Sequence, residues 1–289
     1  MKLVFIHGRD QQGKDADQLQ RVWEEAFDCG LDKAGLPRPQ NLIVHFPYYG
    51  DALDELVKQL DEPLLVDIKS KGVKPDTPEA GFRGQLLTEI ATNAAIPDAE
   101  IAASAGVSVQ EKGPLNWAWV HAILRTLDKE SPFGDAVLDG FTRDVYVYLT
   151  YPAVSKRIDA IVAKTIPLGE PCVVVAHSLG TIVAYQVLSD LAQAVDVCGL
   201  VTVGSPLGLA SIRDHLPVPL ARPTGVKNWQ NAFDKRDVVA LLPLDGTTWS
   251  IQPPIENFSG VDNFTDNRHG ISGYLDDATV ARWMAKALI

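Results

Sequence analysis

The chain is 289 residues long, with 46% hydrophobic and 22% charged side chains. That is enough apolar material for a large core, which excludes a disordered tail or a small disulfide scaffold. Its 26 Lys+Arg against 37 Asp+Glu leave a formal charge of -11. With no basic patch in the sequence, this acidity argues against a nucleic-acid partner or an anionic lipid surface and against a polyanionic substrate, leaving a neutral or cationic one. The scattered Cys29, Cys172 and Cys198 fit a reduced compartment and read as buried spectator thiols.

In chain order, the first apolar run, Leu3–Ile6, is too short for a secretory segment. Elsewhere charged residues, Gly or Pro break every apolar stretch well before the roughly twenty residues a membrane crossing needs. A cytoplasmic protein without stable membrane insertion is expected. Leu3–Ile6, Leu42–Phe46, Cys172–Ala176, Leu200–Val203 and the more mixed Val226–Phe233 predict buried strands of a parallel sheet. Helical spacing recurs between them, in Leu19, Val22, Trp23 and Ala26, then Leu53 to Leu60, Phe82 to Ala94, Val137 to Leu149, Val154 to Val162, and Ile182 to Leu191. The alternation predicts an α/β fold, a mostly parallel sheet with helices on both faces, in a single domain over 1–289.

One connection is too long. Roughly 125 residues separate Phe46 from Cys172, whereas a whole βαβ unit needs only ~30. An inserted helical cap over approximately 51–150 is therefore expected, and within it Leu115, Trp117, Trp119, Val120, Ile123, Leu124 and Leu127 make a helix apolar nearly all round. Such a helix is either wholly buried or lends one face, with Trp117 and Trp119, to a ligand pocket.

The strongest local feature is Val173-Val174-Val175-Ala176-His177-Ser178-Leu179-Gly180, a buried strand running straight into an amphipathic helix with Ser178 at the junction. A nucleophile elbow belongs at such a junction, because its tight, strained turn needs small neighbours such as Ala176 and Gly180 to push Oγ into a cleft. The simpler alternative is a serine N-cap on a crossover helix. A second pattern, Gly8-Arg9-Asp10-Gln11-Gln12-Gly13-Lys14-Asp15, follows a strand and fits a phosphate-binding loop except at its last residue. There a hydroxyl is needed for Mg²⁺ and Asp15 brings a negative charge instead. Arg9, Asp10, Gln11, Gln12 and Lys14 read better as a polar rim.

With its A-x-S-x-G elbow and an early His7-Gly8, the chain resembles the α/β-hydrolase superfamily on its lipase/esterase-like side. The resemblance covers the first ~50 residues and roughly Cys172 to Leu275, and leaves the insert unmatched. It implies a triad in the order Ser, acid, His. Of six histidines, His269 lies late in the chain in a polar, Gly-rich loop, where the family has its base, with His7 second. Asp237, before Val238-Val239, matches the family's acid, with Asp234 as the alternative. The oxyanion hole would use the backbone N–H groups of Leu179 and Arg9. His7, Asp10, Tyr48, Tyr49 and His177 could line the substrate pocket. Ser205 is a poor rival nucleophile, because Pro206 removes the N–H that an oxyanion hole needs there.

The expectation is thus a serine hydrolase that cleaves a small carboxylic ester through an acyl-enzyme. The alternatives are amide, peptide or thioester hydrolysis or acyl transfer on the same triad, a non-catalytic binding protein on a hydrolase scaffold, and a P-loop-type nucleotide binder. No motif asks for a cofactor or a metal.

Overall fold

The computed structural model describes residues 1–61, 77–105, 113, 117–130 and 135–289. Six strands form one all-parallel sheet: β1 (Lys2–Ile6), β2 (Ile43–His45), β3 (Pro171–His177), β4 (Asp196–Val203), β5 (Trp229–Ala232) and β6 (Glu256–Phe258), in the spatial order β2-β1-β3-β4-β5-β6. The five predicted strands are present. The sixth lies in a stretch whose Glu-Asn-Phe sequence has no apolar run to mark it.

The helices are α1 (Ala16–Ala34), α2 (Gly50–Asp61), α3 (Pro78–Asn93), α4 (Asp98–Ala105), α5 (Trp117–Glu130), α6 (Asp135–Thr150), α7 (Pro152–Ala163), α8 (Leu179–Leu191), the single turn α9 (Ala210–Arg213), α10 (Ile271–Leu275) and α11 (Ala278–Ala287). Side-chain alternation along the strands sorts the core into two layers. Leu3, Phe5, Val173 and Val175 pack with Trp23 and Phe27 of α1 and with Val280 and Met284 of α11. Val4, Ile6, Val174 and Ala176 point the other way, to Ile182 and Val183 of α8. Both faces are covered, which is why the central strands read as unbroken apolar runs. The described helices of the 51–150 segment join the second layer, with Leu53, Leu86, Ile90, Val120, Ile123, Leu138 and Val145 in the same continuous apolar cluster as the sheet face.

Chain order reverses across the sheet at β1: β2 lies on one side of it and β3 on the other. In an open parallel sheet such a switch point leaves a crevice beyond the carboxyl ends of the two central strands. β1 ends there in His7-Gly8-Arg9 and β3 ends in Ser178. His45 does not reach this edge; it pairs level with Val4, below the end of β1. All three cysteines are free thiols, and only Cys172 is fully buried, its pKa pushed up to about 12 by burial. The expectation of three buried thiols is corrected by the exposed Cys29 and the half-buried Cys198. Among the described residues no helix is long and apolar enough to cross a membrane.

Candidate active site

Ser178 sits between β3 and α8 with φ 54° and ψ -130°, a region that non-glycine residues occupy only at a cost of ~1–3 kcal/mol. Its side chain caps nothing on α8, so the N-cap alternative has no hydrogen bond to support it. Two glycines make the turn possible by close approach. A Cβ on Gly180 would lie 2.4 Å from the His7 carbonyl oxygen, and one on Gly8 would lie 2.9 Å from Ser178 Cβ. The loop after β1 therefore passes directly against the serine.

His269 reaches the same point from a loop far along the chain. Its Nε2 lies 2.8 Å from Ser178 Oγ and its Nδ1 2.6 Å from Asp237 Oδ2. In the tautomer consistent with both contacts, Nδ1–H donates to the carboxylate and Nε2 accepts from the serine hydroxyl. Asp237 is fully buried in the turn after β5 and has both oxygens engaged. Oδ1 accepts the Val239 N–H at 3.2 Å, and Oδ2 accepts the Tyr274 hydroxyl at 2.5 Å beside the imidazole. Burial, together with the neighbouring Asp237 charge, keeps the Tyr274 phenol well above its ordinary pKa and so a donor.

The imidazole is also held through its backbone. His269 N–H donates to Asn267 Oδ1 at 3.1 Å, and the His269 carbonyl accepts from His177 Nε2–H at 2.7 Å. Burial holds the His177 pKa well below the ordinary value, with the nearby His269 adding to the shift. His7 is neutral for the same main reason, its pKa lowered to about 4 by burial. The Tyr49 N–H donates to His7 Nε2 at 3.0 Å, which leaves His7 Nδ1–H to donate to the Gly8 carbonyl at 2.7 Å.

Comparison with models of known families, with curated proteins and with solved structures found no match. The geometry of the chain itself therefore carries the reading.

The two candidate acids separate cleanly. Asp234 does not point at His269; it accepts the Arg236 and Asn263 N–H groups, each at 2.8 Å, and pairs with the Arg236 guanidinium at 3.1 Å. Burial alone would raise its pKa, but these hydrogen bonds outweigh it and hold the carboxyl below its ordinary value. Through Asn263, whose Nδ2 donates to the Gly270 carbonyl at 2.9 Å, Asp234 braces the loop that carries His269.

A cleft of about 280 Å³ opens on Ser178 and His269, lined in part by His7, Gly8, Arg9, Asp10 and His177. Tyr48 and Tyr49 do not line the cleft as expected, and Trp119 takes the buried one of its two alternatives. Tyr49 is 1% exposed and stacks on His7, and its hydroxyl donates to the His7 carbonyl. Tyr48 turns its hydroxyl to the Gln11 carbonyl and Asp51. Trp119 is buried in the apolar cluster that also covers one face of the sheet. Tyr48 and Tyr49 pack against His7 of the cleft lining. The side chain of Trp117 lies outside the described residues. Conversely, the cleft takes Leu19, Val22 and Trp23 from α1 and Val137 and Phe141 from α6. The helical spacing named these residues as packing positions and carried no sign that they also border a cleft.

The Arg9 side chain forms an ion pair with Asp144 of α6 at 2.7 Å in which both side chains are largely buried. Leu179 opens α8, where a backbone N–H has no acceptor one turn back. The phosphate-loop pattern is already occupied by the protein's own groups. Gly13 N–H donates to Asp51 Oδ1 at 2.6 Å, Lys14 Nζ to the Asp10 carbonyl at 2.8 Å, and Asp15 caps α1 through Gln18 N–H. Leu64-Leu65-Val66-Asp67, which such a loop could use as a metal-binding partner strand, lies outside the described residues. Ser205 Oγ is paired with Thr181 Oγ1 at 2.9 Å and accepts from Leu207 N–H. Among the described residues no cluster of His, Cys, Asp and Glu could hold a metal.

Proposed function

We propose that the protein is a serine hydrolase of the α/β-hydrolase kind, acting on carboxylic esters through an acyl-enzyme. The observation that carries this reading is the unbroken chain Ser178 Oγ, His269 Nε2, His269 Nδ1, Asp237 Oδ2, with links of 2.8 and 2.6 Å, on a serine held in a strained strand-to-helix turn.

In this reading Ser178 Oγ attacks the ester carbonyl carbon as His269 Nε2 takes the hydroxyl proton, and Asp237 stabilises the imidazolium while keeping its charge. The carbonyl oxygen, now an oxyanion, is met by the N–H groups of Leu179 and Arg9. Collapse breaks the bond to the leaving alcohol, which departs with the proton from Nε2. Water then attacks the acyl-enzyme with His269 again as base, releasing the acid and restoring Ser178. The segment 51–150 serves as the cap, with α6 forming a cleft wall and its Asp144 bracing Arg9 at the oxyanion loop.

The test is covalent labelling. A fluorophosphonate probe is expected to label the wild-type chain on Ser178 and to leave Ser178→Ala unlabelled, with circular dichroism of the two superimposing. Equal labelling of the folded variant would remove the reading. Thioester or amide cleavage and acyl transfer would use the same steps with a different leaving group or acceptor, and a panel of such substrates ranks them.

A further inference from the structure

We infer that the cleft takes a short, uncharged acyl group, so that the esters turned over are those of short-chain carboxylic acids. This rests on the reading of Ser178 as the acyl-forming nucleophile. Away from the reacting groups one wall of the cleft is apolar, built from Leu19, Val22 and Trp23 of α1, Val137 and Phe141 of α6, and Ile271 of α10, while Arg9, Asp10, Gln11 and Lys14 form a polar rim. On α1 the stripe Trp23, Ala26, Phe27 and Leu31 packs on the sheet. Leu19 continues that stripe one turn beyond, into the cleft, where it is half-buried and the neighbouring Val22 stays 39% exposed. Apolar side chains left uncovered beside a reactive hydroxyl favour an apolar occupant, since contact with one removes their surface from water.

Charge points the same way. Of the cations in the lining, Arg9 is paired with Asp144, and Lys14 at the rim donates to the Asp10 carbonyl and Gln11 Oε1. An anionic acyl group would therefore enter an apolar wall while competing with these contacts, at the desolvation cost of an incompletely paired charge.

Volume sets the length. At roughly 30 Å³ for each water-sized group, the open cleft of about 280 Å³ shelters about nine such groups. A butanoyl or hexanoyl ester fits, with its carbonyl and the first atoms of the alcohol. A hexadecanoyl chain overfills the cleft and must leave most of its length outside.

The experiment is a chain-length profile with p-nitrophenyl esters from acetate to palmitate, the longer ones held below micelle formation. The expected result is a kcat/KM for butyrate or hexanoate at least ~100-fold above that for palmitate. Val22→Trp, at a partly exposed position where folding is not at risk, should cut hexanoate at least ~10-fold more than acetate. Phe141→Ala, if folded, should move the preferred length upward. Palmitate within ~10-fold of butyrate, or a Val22→Trp loss equal at all lengths, overturns the inference. Failure of the fluorophosphonate to label Ser178 instead removes the underlying reading. Normal labelling with no short-chain ester hydrolysis overturns the inference alone.

Discussion

The two sides of the cleft are built differently. On the sheet side, Ser178, His269, Asp237, Tyr274 and His177 are buried and joined by directed hydrogen bonds of 2.5 to 2.8 Å. On the helix side, Leu19, Val22, Val137 and Phe141 meet the cleft with apolar surface that has no directional partner. Hydrogen bonds fail steeply with angle and distance, whereas apolar contact tolerates changes of shape. The sheet side is thus suited to one geometry and one chemistry, and the helix side to adjustment of substrate size.

The largest expected break falls on the sheet side. Asp237→Asn keeps the size of the side chain but disturbs the imidazole tautomer, and kcat should fall by about 10⁴-fold. A loss confined to KM would argue that Asp237 does not orient His269.

Next comes acid stability. The His7 pKa of about 4 in the folded protein lies below the 6.5 of an unfolded histidine, so the unfolded chain takes up the proton first as pH falls. The stabilisation is complete above about pH 6.5, is lost progressively down to about pH 4, and amounts to about 3 kcal/mol. Urea denaturation of wild type and His7→Gln at pH 7 and pH 4.5 checks this: the drop between the two should be smaller in the variant. His177, shifted the same way by burial, adds to the wild-type slope.

Asp234→Ala tests whether the loop carrying His269 is braced from outside the Ser178, His269 and Asp237 contacts. It leaves the backbone N–H groups of Arg236 and Asn263 without their acceptor, while the Arg236 guanidinium keeps Asp262, and should cost about 2 kcal/mol of stability. The loss in kcat should exceed the loss in KM, because His269 is displaced while the helix side is untouched.

The smallest effect is the most specific. Tyr274 shares Asp237 Oδ2 with His269, so removing its O–H in Tyr274→Phe returns negative charge to the carboxylate and strengthens its hold on the imidazolium. The acidic limb of the kcat/KM profile should move to higher pH, by up to about one unit. An unmoved limb with reduced activity would mean that the tyrosine only packs.

Legibility in the sequence followed the range of the interactions. The central strands were visible because both of their faces are buried, and the elbow because its strained turn restricts Ala176, Ser178 and Gly180 within five residues. Strand β6 was not visible, since Glu256, Asn257 and Phe258 pair through backbone that any side chain permits. Helix α11 escaped notice because its apolar face follows a loop with no strand after it to mark a βα unit.

Local order settled what could be settled within a few residues: an α/β chain, a serine at a strand-to-helix junction, a histidine on a late polar loop. The choice between Asp237 and Asp234, three positions apart in one turn, belonged to the tertiary structure. One carboxylate meets an imidazole 32 residues later, while the other turns to Arg236 and Asn263. The cleft wall was likewise a tertiary outcome. Phe141 and Val22 each sit on a helical stripe of ordinary spacing, and only the placement of α1 and α6 against the rest of the fold decides that they border a cleft, Phe141 while still part of the core cluster. Spacing along one helix reports which residues share a face, and carries no information about what the rest of the chain brings to cover it.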